Sequence, residues 1–354
     1  MLLLLGLLAL AVPPKIQLVE SIPSEVSANN PNIVDAAQTW ISMFDSAQNS
    51  IEIASFYISP SEKQDALDPV WESLRKAVDR GVQLRVLVDL SFSDKYPEPL
   101  KELETWPNTK LKRIDYNPGV MHAKYFIIDK KEAFLGSQNF DYRALEHIFE
   151  LGMRIQEEHI VQSLSRIFAL DWGEKNSLPK PKTVNDIFVV ASPLQSLPSE
   201  IPYDLPHILS LIQSARKTLR LQFLSYNNQT RSKESWTILD DALINAIQRG
   251  VKVELMVSDW ATKGSKGRSL EKLRTNGVIV HVASVPEHSS GHIPFARTVH
   301  AKTIISDQSN CWLGTSNASK SYFTTSRNVG LIIHNKKLCL QMDDFFTRIL
   351  KTQK

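Results

Sequence analysis

Cysteine is almost missing from this chain. Two thiols, Cys311 and Cys339, in 354 residues cannot supply a metal site by themselves or build a disulfide framework. Cys311 lies in the apolar run Asn310-Cys311-Trp312-Leu313, which reads as a buried strand, so packing is its expected role; a bridge to Cys339 stays open, although the spacing does not indicate one. Glycine is scarce at 13 residues, and with 42% hydrophobic residues collagen, coiled coil and whole-chain disorder are excluded. Neither sign of charge dominates. The 41 Lys+Arg and 38 Asp+Glu leave a net +3, so any surface that holds a polyanion has to be local. Clustered carboxylates of the kind a two-metal nuclease needs are not visible, and the expectation is a site without metal or other cofactor. Long apolar runs are lacking as well: residues 1–12 are continuously apolar, but Pro13-Pro14 follows at once, short of the roughly 20 residues a membrane-spanning helix requires. Their length and Ala9-Leu10-Ala11 fit a signal peptide over residues 1–12, which implies a secreted or lumenal protein. Asn228-Gln229-Thr230 is a glycosylation sequon, relevant only to a secreted eukaryotic chain.

What the chain does have is itself, twice. Ser46-Ala47 followed by Ile51-Glu52-Ile53-Ala54-Ser55-Phe56 recurs as Ser214-Ala215 followed by Leu219-Arg220-Leu221-Gln222-Phe223-Leu224, in both cases a helix end leading into a strand. Arg80-Gly81-Val82 with Leu84-Arg85-Val86-Leu87-Val88-Asp89 is matched by Arg249-Gly250-Val251 with Val253-Glu254-Leu255-Met256-Val257, where glycine suits the helix end and the β-branched run a buried strand. His122-Ala123-Lys124 with Asp129, Gly136 and Asn139 returns as His300-Ala301-Lys302 with Asp307, Gly314 and Asn317, every internal offset kept. The length suits about two domains. These are residues 14–178 and 185–354, joined by a Pro/Lys/Ser-containing stretch at 176–181. Each half alternates strands and helices, so the expected fold is α/β: two tandem halves, each a mixed sheet flanked by helices, packed about a pseudo-two-fold axis. The second half carries an extra loop at 286–297.

On an extended segment, residues two apart point to the same side, so each His-x-Lys presents an imidazole beside a cation. Ser137 and Thr315 follow the motif glycines, and the turns there offer hydroxyls, the amides of Asn139 and Asn317, and backbone N–H donors to an anion. If the halves converge, two His, two Lys and two Asn make a compact cationic pocket suited to a phosphodiester. One neutral imidazole can attack phosphorus, the other can protonate the leaving oxygen, and the lysines and amides can hold the non-bridging oxygens. Asp129 and Asp307, at odd spacing from the lysines, are expected to anchor backbone at the strand ends.

The pattern His-x-Lys-x4-Asp-x6-Gly-[Ser/Thr]-x-Asn, present twice, resembles the signature of the phospholipase D superfamily across nearly the whole chain. That resemblance implies an active site built between the halves, a phosphohistidine intermediate, and a polar residue 11 positions after each motif Asn, here Glu150 and Asn328, bonded to the histidine of the opposite half. Glu150 would favour protonated His300, which makes His122 the nucleophile and His300 the general acid. Leu18-Val19-Glu20-Ser21-Ile22-Pro23, Ile53-Ala54-Ser55-Phe56-Tyr57, Ile293-Pro294-Phe295-Ala296-Arg297, Gly314-Thr315-Ser316-Asn317 and Tyr322-Phe323 are similar to the endolysosomal branch and its poxviral and bacterial relatives. This implies a 5′-exonuclease on single-stranded DNA or RNA in a lumenal, endolysosomal-like or periplasmic setting; the alternative is a phospholipase D or phosphatidyl transferase acting on phospholipid. Phe56, Tyr57, Tyr142, Phe295, Tyr322 and Phe323 are candidate faces for unpaired bases, with Arg143, Arg297 and Lys320 as cations beside them. One chain supplies both halves, so a homodimer is allowed but not required.

Overall fold

The computed structural model describes residues 15–61, 64–174, 180–181, 186–230 and 232–353. The expected signal peptide and most of the joining stretch, residues 176–179, lie outside the described residues.

The first half folds around eight strands: β1 (Ile16–Ser21), β2 (Val34–Asp35), β3 (Ser50–Ser55), β4 (Gln83–Asp89), β5 (Thr109–Ile114), β6 (Tyr125–Ile128), β7 (Glu132–Gly136) and β8 (Ile148–Ile155). Their order is β2-β1-β8-β7-β6-β3-β4-β5, with β3, β4 and β5 parallel and β6, β7 and β8 antiparallel. The second half contributes β9 (Ile187–Ser192), β10 (Thr218–Phe223), β11 (Lys252–Ser258), β12 (Ile279–Ala283), β13 (Thr298–Val299), β14 (Thr303–Ser306), β15 (Asn310–Gly314) and β16 (Asn328–Ile333). Seven of these form the order β12-β11-β10-β14-β15-β16-β9, the same topology again. The eighth, β13, leaves its own half and pairs with β8 of the first sheet.

The layers follow from which faces are apolar. Parallel strands must be covered on both sides, and helices Ala36–Ser46, Asp68–Asp79 and Pro97–Thr105 cover the outer face of the first sheet. Asp204–Ser214, Ile238–Gln248 and Gly264–Thr275 do the same for the second. Between the sheets lie the two longest helices, Glu158–Trp172 and Lys336–Thr352, whose Ile160, Leu164, Phe168, Met342, Phe345 and Phe346 join residues of both sheets in one continuous core. The first of these stops at Gly173, whose φ of +87° suits the left-handed end. Asn335 caps the second by accepting from Leu338 N–H.

A pairing that the sequence leaves open is made here. Cys311 on β15 is bonded to Cys339 on helix Lys336–Thr352. The pairing joins a strand to the helix packed over it, a contact made by the tertiary fold across 28 residues that local spacing does not reveal. Asn228 also differs from a free acceptor site: its Nδ2 donates to Asp240 and its Oδ1 accepts from Ser269, so the sequon amide is occupied within the fold.

Candidate active site

His122 to Lys124 lie just ahead of β6, and His300 to Lys302 just ahead of β14, rather than within these strands. The reason is that each histidine backbone pairs across the molecule. His122 N–H donates to Arg327 O, next to β16, and His300 N–H donates to Phe149 O in β8, both at 2.9 Å. Each half thus pins the other's histidine, and the site forms where the two crossings meet. Asp89, at the end of β4, steadies this approach by accepting from Met121 N–H at 2.6 Å. Ser258, which ends β11, occupies the matching place and accepts from Thr298 Oγ1 at 2.6 Å.

The four motif side chains are buried together: His122, Lys124 and His300 are nearly inaccessible, and Lys302 is fully so. Each ammonium is held by its own histidine's carbonyl, Lys124 Nζ to His122 O at 2.7 Å and Lys302 Nζ to His300 O. Burial and the charges of Lys124 and Lys302 push both imidazoles well below the usual histidine range. Burial likewise lowers both lysines, Lys302 to about 7. That two lysines from different halves act on both histidines expresses their convergence on one spot.

The histidines differ in what holds the far nitrogen. His122 Nδ1 lies 3.0 Å from Asn328 Oδ1, and the Asn328 amide cannot flip without loss, because its Nδ2 donates to Tyr322 O and its Oδ1 also accepts from Thr315 Oγ1. The network therefore assigns the proton to His122 Nδ1 and leaves Nε2 with a lone pair. His300 Nδ1 lies 2.7 Å from Glu150 Oε1. Glu150 is fully buried, and burial pushes its carboxyl up to about 8, so this pair retains a proton near neutrality that the His122–Asn328 pair does not have.

The remaining motif residues divide by geometry. Asn139 and Asn317 are buried, and the Oδ1 of each has no hydrogen-bond partner, which leaves these amides uncommitted. Ser137 and Thr315 are committed to the fold: Ser137 Oγ donates to Leu151 O, and Thr315 Oγ1 orients Asn328. Their N–H groups, expected to be free for an anion, instead close onto Leu151 O and Val329 O, because β7 and β15 end against β8 and β16. Asp129 accepts from Gln48, Asn49 and Ser50 N–H, and Asp307 from Arg216, Lys217 and Thr218 N–H. Each sits at positive φ, +51°, in the turn between its strands and ties that turn to the next strand's start.

Of the expected aromatic faces, Phe56 and Tyr322 lie 5.0 and 4.9 Å from the His122 ring, and Phe295 is exposed. Phe323 belongs to the core against Trp236, and Arg297 is spent on the carbonyls of Pro286 and Ser24. Arg143 is paired with Asp141, and Lys320 lies 3.7 Å from Glu234. Sequence reasoning missed Asp89, Phe92, Lys95 and Tyr96. The signal available was their place, directly after the carboxyl end of a parallel strand, where α/β sites form.

The model of the family described as cardiolipin synthase, PLD-like domain, matches residues 40–172 and 208–350, both halves of the repeat. The chain belongs to this phospholipase D-like family. Its similar relatives include the 5'-3' exonuclease PLD3 of Bos taurus, 28% identical over 91% of this chain and 75% of that one. The 5'-3' exonuclease PLD4 of Mus musculus is 27% identical over 90% and 73%, and phospholipase D Z of Dictyostelium discoideum 26% over 94% and 88%. Among solved structures, the phosphatidylserine synthase of Haemophilus influenzae shares this phospholipase D-like fold with a TM-score of 0.66, at 14% identity over 88% of this chain and 83% of that one.

Proposed function

We propose that the protein is a phosphodiesterase that needs no metal and removes nucleotides from the 5′ end of single-stranded DNA or RNA through a phosphohistidine. The observation that carries the chemistry is the pair of buried His-x-Lys units with unlike partners on Nδ1. His122, protonated on Nδ1 by the Asn328 network, attacks phosphorus through Nε2 as the bond to the leaving oxygen breaks. His300 gives that oxygen a proton, replenished across the short contact to Glu150. Lys124, Lys302, Asn139 and Asn317 surround the non-bridging oxygens, and an entering phosphodiester anion returns to the lysines the charge that burial disfavours. Water then attacks the adduct, neutral His300 takes its proton, and the P–N bond breaks. Choice of a nucleic acid strand rests on the two exonuclease relatives, each matched over nine-tenths of this chain.

Digestion of a single-stranded oligonucleotide labelled at either end, with wild type and His122→Ala, tests this beside phosphatidylcholine hydrolysis. Stepwise release from the 5′ end that the variant loses is the expected result; choline release without nucleotide release refutes the nucleic-acid reading. The lipid enzyme is the second reading, favoured by the phospholipase D named among the relatives. A secreted or lumenal setting accompanies either reading, since the Cys311–Cys339 bond suits an oxidising compartment. No helix among the described residues is long and apolar enough to cross a membrane. One chain carries both halves of the site, so turnover does not require a homodimer.

A further inference from the structure

We propose that Phe56, Phe92, Lys95, Tyr96 and Phe295 form a track on which unpaired bases stack as a strand leaves the site; this rests on the exonuclease reading. The rings run outward in contact. Phe56 lies 5.0 Å from the His122 ring, and Phe92 lies 4.1 Å from Phe56. Lys95 Nζ then sits 5.7 Å from the Phe92 ring, 5.4 Å from Tyr96 and 4.6 Å from Phe295. Arg143 reaches the Tyr96 hydroxyl at 3.2 Å. Phe295 is 63% exposed and has a φ of +61°, a conformation uncommon for a bulky residue, which the extra loop at 286–297 maintains while leaving the ring in solvent.

Phe56, Phe92, Lys95 and Tyr96 come from the first half, and the second half adds only Phe295 from its extra loop. Where the first half has Phe56 and Tyr57 after β3, the second has Leu224 and Ser225 after β10; where Phe92 follows Asp89, Ala261 follows Ser258. The second half carries aromatics at other offsets, Tyr226 after β10 and exposed Trp260 after β11, so the Phe56–Phe92 pair beside a motif histidine is not repeated there. The occupant is read from the alternation of π faces with an exposed cation, which matches the alternation of bases with phosphates along a strand. An acyl chain would gain nothing from Lys95.

The test uses full-length His122→Ala protein, which binds without turnover. It is titrated with a fluorescein-labelled oligothymidylate of about ten residues and with an abasic oligomer of equal length. The base-bearing oligomer is expected to bind about tenfold more tightly, and Phe295→Ala added in that background to cut the ratio about fivefold. Phe295 is exposed, so its truncation does not threaten folding. A ratio near one, or one that Phe295→Ala leaves unchanged, overturns the track. If wild type still releases nucleotides from the 5′ end, the exonuclease reading survives that failure; if it neither cleaves nor binds the oligomer, both fail. Displacement of the oligomer by dihexanoylphosphatidylcholine without any base effect reassigns the track to lipid and overturns the proposal.

Discussion

Glu150→Gln separates a proton store from a mere anchor. Its carboxyl is fully buried, 2.7 Å from His300 Nδ1, and burial raises it to about 8. Glutamine keeps the shape and can still accept from Nδ1, but it cannot stabilise an imidazolium as a carboxylate does. A hydrogen bond to a charged group contributes about 1.5–3 kcal/mol against about 0.5–1.5 for a neutral one. The difference between the centres of these ranges, about 1.3 kcal/mol, is about tenfold in rate. That loss should fall on the step that needs the acid. With an oligonucleotide, whose leaving oxygen is an alkoxide, kcat is expected to fall by about tenfold; with bis(4-nitrophenyl) phosphate, whose leaving group needs little help, by less than about threefold. The alkaline fall of kcat/KM should also move to lower pH, because the one remaining proton then sits on His300, which burial and the two lysines depress. Stability should move the other way. A carboxyl raised on folding from 4.5 to about 8 costs increasing stability as pH rises through that window. The variant should therefore resist urea better than wild type at pH 8 and equally at pH 4. Equal losses on both substrates, with an unmoved alkaline limb, would refute the proton-store reasoning and leave Glu150 as packing.

Asp307→Asn removes a charged acceptor from three backbone N–H bonds of 2.8–2.9 Å and is expected to cost about 1–2 kcal/mol in urea unfolding. Folding lowers the Asp307 pKa through those backbone bonds, against the opposing effect of burial, so the difference from wild type should shrink as pH falls through that lowered value; a drop in kcat with unchanged stability would instead make Asp307 a site residue. Cys339→Ser opens a link across 28 residues and is expected to lower stability by about 3.6 kcal/mol on the loop-entropy estimate. Identical urea midpoints for wild type with and without reductant would contradict it.

Much of the candidate site's geometry was legible because duplication repeats residue types at fixed offsets. His122 and His300, Lys124 and Lys302, and Asp129 and Asp307 stand in matching frames, and an equal offset along an extended segment puts like side chains on like sides. The resemblance to a known family supplied Glu150 and Asn328, which lie 2.7 and 3.0 Å from the opposite histidines. Local pattern failed where a group's fate depends on a distant partner. The Ser137 and Thr315 N–H groups looked available, yet each is taken by a carbonyl of the neighbouring strand, Leu151 in β8 and Val329 in β16. Phe295 and Phe323 both lie near motifs, and only the loop path and the Trp236 contact separate an exposed ring from a core one.

The sequence alone determined that there are two halves, that each is α/β, and which residue types meet, because strand alternation and repeated spacing are local properties of the chain. Tertiary structure decided how the halves interlock, with β13 crossing to β8 and each histidine backbone held by the other half. It also decided that Cys311 and Cys339 bond and that Phe92, Lys95 and Tyr96 stand beside Phe295. These outcomes depend on segments far apart in sequence being brought together by burial of a common core, and no local period encodes that.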